Sequence, residues 1–67
     1  MRELKEFAEA MNKIGMNIQF ISKVMNWDGG FHNQKDDKKE AIKNKTKMLL
    51  NNIINDTNSA LDKLDKI

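Results

Sequence analysis

A chain of 67 residues with 12 Lys and Arg against 10 Asp and Glu, no Cys and no Pro is one small domain that neither disulfides nor a cysteine-bound metal can reinforce. Its net charge of +2 is too small to imply a polyanion partner by itself. No apolar run approaches the roughly 20 residues that cross a bilayer and no signal-peptide segment follows Met1, so a cytoplasmic location is expected.

Helix one is expected over about residues 2–27. Glu3 and Glu6 complement the positive end of its dipole, and Gly15 weakens it without breaking it. Leu4, Phe7, Met11, Ile14, Ile18, Ile21 and Met25 recur at alternating spacings of three and four, a heptad register that places them on one expected inward seam. Met16, Phe20, Val24 and Trp27 sit at helical spacing on a different face. With Phe31 from the turn, they are the candidate partner-binding residues, because Met and aromatic side chains combine large buried area with adaptable shape.

The turn is expected over about residues 28–33. Asp28, Gly29 and Gly30 remove helix propensity in succession, and either glycine suits the left-handed conformation that closes a helix. His32, with Asp28, Asp36 and Asp37 nearby, does not make a ligand spacing, so it reads as a solvated loop histidine. Neither a metal nor another cofactor is expected. No glycine loop of the phosphate-cradling kind is present either, and enzymatic function is not expected.

Helix two is expected over about residues 34–66, with Asn33 or Asp37 as N-cap, the start near Asn33 preferred, and Asp37 with Glu40 forming a capping-box-like pair. Its inward line reads Ile42, Thr46, Leu49, Ile53, Thr57, Ala60, Leu64 and Ile67, widened by Leu50, Ile54 and Leu61. Folding back at residue 30 would set Leu4 opposite about Asp56 and leave the last turns of helix two projecting. A second copy would cover them, so the expected fold is all-α: an antiparallel two-helix hairpin dimerising into a four-helix bundle.

Lys35, Lys39, Lys43 and Lys47 lie at successive i, i+4 positions, a candidate polyanion-binding row about 18 Å long. Asp36, Asp37 and Glu40 interleave with it, and no aromatic residue punctuates it as a base-stacking platform requires. It reads first as a solvated face and second as a strip for RNA, DNA or an acidic protein surface.

Trp27-Asp28-Gly29 resembles the Trp-x-Gly turn of the WXG100 secreted proteins. The resemblance covers these three residues and the hairpin architecture. It implies a four-helix-bundle dimer associated with type VII secretion. The Tyr-led export signal of that family has no counterpart in a chain without Tyr. The main functional expectation is a non-enzymatic helical interaction module: a small regulator, adaptor or protein inhibitor of the kind mobile elements encode, acting by docking apolar helix faces on a partner protein.

Overall fold

In the computed structural model, which describes residues 1–26 and 29–67, two long helices run antiparallel. Helix α1 spans Arg2–Asn26 and helix α2 spans Asp36–Asp65, with a single 3-10 turn, Phe31–Asn33, between them. Trp27 and Asp28 lie outside the described residues, and with them two of the three positions that carry the WXG100 resemblance.

The turn is built on two glycines. Gly29 has φ 90° and Gly30 has φ 103°, values that an L side chain adopts only with strain. The Asn33 side-chain amide donates to the Gly29 carbonyl at 2.6 Å, which closes the loop locally. Asn33, expected to cap helix two, thus belongs to the 3-10 turn. Lys35 stands at the N-cap instead, extended and without a side-chain cap bond, and α2 begins at Asp36. The expected pairing of Asp37 with Glu40 is also absent: Asp37 Oδ1 accepts from the Lys38 N–H at 2.9 Å, while Glu40 pairs with Lys43 at 3.6 Å. Asp36 and Asp37 still place negative charge in the first turn, where it complements the helix dipole.

The helices meet along a seam rotated from the expected one. On α1, Ala10 is buried and Glu3, Phe7, Ile14, Asn17, Ile21 and Val24 are half-buried, spaced by three and four. Phe7, Ile14 and Ile21 therefore pack as expected, but Leu4, Met11, Ile18 and Met25 do not: each is more than a third exposed. On α2 the facing line is Ile42, Thr46, Leu49, Ile53, Asp56, Ala60 and Lys63. Thr57, Leu64 and Ile67, expected inward, are exposed. A single hairpin is satisfied by a narrow two-helix seam, and this one is set by the small residues Ala10 and Ala60, both buried. It leaves the broader apolar sector of each helix uncovered.

Register is fixed by three cross-helix contacts. Lys63 Nζ lies 2.8 Å from Glu6 Oε2, Asn17 Nδ2 donates to Asp56 Oδ2 at 3.5 Å, and Thr46 Oγ1 approaches Met25 Sδ at 3.9 Å. Leu4 consequently lies near the last turn of α2 rather than opposite Asp56. The turn takes up residues through Lys35, so the chain reverses later than residue 30 and the expected overhang of helix two does not form.

Among the described residues only Ala10, Ile42, Leu49 and Ala60 are buried, and no large side chain is fully enclosed. The Cα trace measures 48 × 16 × 11 Å: one helix thick, two wide. No helix among the described residues is long and apolar enough to cross a membrane.

Candidate interaction surfaces

A slab one helix thick has two broad sides, and this one differs sharply between them. Helical spacing puts Leu4, Met11, Ile18 and Met25 on one side of α1, and Leu50, Ile54, Leu61 and Leu64 on the same side of α2. The contact between Met25 and Thr46 confirms that these two stripes adjoin. All eight are exposed, Ile18 at 55% and Ile54 at 56%. No Asp, Glu, Lys or Arg interrupts either stripe. The departure from expectation is on α1, where Leu4, Met11, Ile18 and Met25 are exposed rather than inward. The signal for it was present in their strict seven-residue repeat beside the second heptad line through Phe7, Ala10, Ile14, Asn17, Ile21 and Val24.

On the opposite side Met16 and Phe20 are exposed and border a shallow groove with Lys13, Asn17, Asn52, Asn55 and Asp56. Further toward the chain ends this side becomes wholly polar, with Glu6, Glu9, Lys13, Ser59 and Lys63 around Ala10. The five expected partner-binding residues therefore separate. Met16 and Phe20 share one exposed patch. Val24 is half-buried in the seam against α2, because the packed heptad line passes through it. Phe31 is half-buried in the 3-10 turn, where its ring meets His32 edge-on at 5.8 Å and Lys39 Nζ sits 5.8 Å from its centroid. Trp27 lies outside the described residues.

The lysine row is only partly available. Lys39 is half-buried and drawn over Phe31, a cation–π arrangement, and Lys43 is paired with Glu40. Lys35 occupies the N-cap and Lys47 is exposed beyond Thr46. Two of the four charges are thus engaged within the hairpin. His32 is exposed, and among the described residues no group of three or more His, Asp or Glu gathers around a point that could hold a metal ion.

The strongest electrostatic coupling is at the open end of the hairpin. Glu6 accepts from Lys63 and from Arg2 Nε at 3.0 Å. The hydrogen bond from Lys63, and secondarily that from Arg2, hold its carboxyl below the ordinary glutamate range, while the bond to Glu6 pushes the Lys63 ammonium above the ordinary lysine range. This pair is structural in placement, since it ties the chain ends together and fixes the register.

A compact monomer of 7.8 kDa would expose about 4,400 Å², whereas this chain exposes 5171 Å². The difference, roughly 800 Å², is about what one partner contributes to an interface of standard size. No family model, curated protein or solved structure is similar enough to this chain to match it.

Proposed function

We propose that this chain is a non-enzymatic helical interaction module that pairs with a second copy through the Leu4–Met25 face to form a four-helix bundle. The bundle then docks a partner protein through the outward side bearing Met16 and Phe20, acting as a small regulator, adaptor or inhibitor. The observation that carries this reading is the uncovered apolar side of a one-layer slab. Helical domains bury the apolar sector of each element against a second layer, and here eight exposed aliphatic or Met side chains share one side of the hairpin. The surface excess supports a second layer of about the same footprint. On the other side, Met16 and Phe20 framed by Asn17, Asn52 and Asn55 amides offer an apolar anchor within a polar rim, the usual composition of a recognition patch.

Light scattering at micromolar concentration, with thermal melts at several concentrations, tests the pairing. The expected result is twice the chain mass and a Tm that rises with concentration. A helical monomer whose Tm is independent of concentration would overturn it.

A further inference from the structure

The apolar side is uneven along its length, and the unevenness bears on how a second copy can lie against it. On α1 it runs from end to end, from Leu4 to Met25. On α2 it occupies only the half remote from the turn, from Leu50 to Leu64. Nearer the turn, the same side of α2 carries Lys43, Thr46 and Lys47, grouped with Met25 and Phe31.

Two such slabs can be stacked face to face about a two-fold axis in two ways. With the axis along the helices, both turns lie at one end and each α1 covers the partner's α2 at its own level. Met25 then lands on the partner's Lys43 and Lys47, and those ammonium groups lose water against hydrocarbon, Lys47 with no carboxylate on either stripe to receive it, while Ile18 lies level with the partner's Ile54. With the axis across the helices, the turns lie at opposite ends and like helices cover like. Given the register set by the Glu6–Lys63 and Met25–Thr46 contacts, Leu4 then meets the partner's Met25, Met11 meets the partner's Ile18, and Leu50 meets the partner's Leu64. Lys43 passes beyond the partner's last turn and keeps its water, and Lys47 comes level with residue 66 at the solvated end of the partner's α2.

Gly15 adds an independent observation. A glycine in mid-helix weakens it, and within the hairpin nothing lies within 4 Å of where its Cβ would be, so packing of the single chain does not call for one. It lies midway between Met11 and Ile18 on the exposed side, with Ala8 and Ser22 seven residues to either side. Large and small residues alternate along this line, a pattern that lets two helices approach closely and interdigitate.

Resting on the dimer reading above, we infer that two copies of this chain stack with their turns at opposite ends, α1 crossing the partner's α1 at Gly15. The chain contains no cysteine, so a single introduced thiol reports the arrangement without background. His32→Cys on the exposed turn, spin-labelled, gives one distance between the two copies by pulsed electron resonance, and Asp65→Cys at the open end gives a second should the first disturb the turn. With α1 crossing at Gly15, opposed turns place the His32 labels apart by about the 48 Å length of the hairpin and the Asp65 labels, nearer the crossing level, apart by on the order of 30 Å. Turns at one end place them within roughly two helix diameters, on the order of 20 Å. A short distance in a sample of dimeric mass overturns the opposed arrangement and leaves the dimer standing. Monomeric mass with no dipolar coupling overturns both.

Discussion

Lys63 Nζ sits 2.8 Å from Glu6 Oε2, and among the described residues this is the one ion pair that joins α1 to α2. The other pairs, Arg2–Glu6, Glu40–Lys43 and Asp62–Lys66, each join residues three or four apart along the chain. Both partners are more than a quarter exposed, so the pair is screened by solvent and salt, and its main effect is on register rather than on overall stability.

Its pH dependence has a definite sign. Glu6 ionises more readily in the fold than in the unfolded chain, so its contribution is complete above the ordinary glutamate range and is lost as pH falls through that range and below it. Lys63 holds its proton more tightly in the fold, so its contribution is complete below the ordinary lysine range and is lost only as pH rises beyond it. Urea midpoints measured from neutral pH to pH 3 should show wild type losing its advantage over Glu6→Gln as acid is added, the two curves converging. A constant gap across that range would mean the carboxylate is not responsible.

The buried interior makes a stronger demand. Leu49 is 4% exposed, and its truncation to Ala is expected to cost about 2 to 5 kcal/mol. A 67-residue chain has a total stability of only some 3 to 10 kcal/mol. Circular dichroism of Leu49→Ala should therefore show loss of most helicity or a steeply lowered Tm, whereas Asn51→Ala, two residues on and exposed, should melt within a few degrees of wild type.

Charge placed on the apolar side should act on association and not on the hairpin. Ile18→Lys is expected to reduce the dimer to monomer in sedimentation, with helicity kept at high concentration. Phe20→Ala, on the opposite side, should retain both mass and helicity while weakening capture of a protein partner by about 2 kcal/mol, the size of a hot-spot effect. If Ile18→Lys remains dimeric, the second layer lies elsewhere.

The turn offers a fourth test. Gly30 has φ 103° and ψ 165°, a region that glycine alone occupies without strain, so Gly30→Ala should destabilise by about 1 to 3 kcal/mol. Its nearest non-local neighbour is the Met25 carbonyl at 4.0 Å, so the cost would be conformational rather than steric. An unchanged denaturation midpoint would show that the turn can adopt another backbone path.

Much of the fold was legible in the sequence because helix, turn and helix are written in local chemistry: heptad spacing through Phe7, Ile14 and Ile21, tandem glycines at 29 and 30, and an unbroken run to the C-terminus. The error lay in which sector of each helix faces inward. Leu4, Met11 and Ile18 carry more apolar surface than Glu3, Ala10 and Asn17 on the packed line, so hydropathy alone favours them. The packed seam instead admits Asn17, Asp56, Glu6 and Lys63, which bond across it, and Ala10 and Ala60, which are small. Those choices depend on both helices at once and are invisible when each is read by itself. The N-cap was misjudged for a similar reason: Asn33 is a good cap by type, but it belongs to the 3-10 turn, where its amide closes on the Gly29 carbonyl, and α2 starts only at Asp36.

Among the described residues, four buried side chains carry the interior of the hairpin, and two of them are alanines. So few positions demand a particular shape that selection on the fold can act strongly on only a small part of the sequence, and most surface changes fall within about half a kcal/mol. Such a chain is free to drift. Descendants would keep the two interleaved seven-residue repeats and the glycine pair long after the letters between them had changed, so kinship is better sought in spacing than in identity.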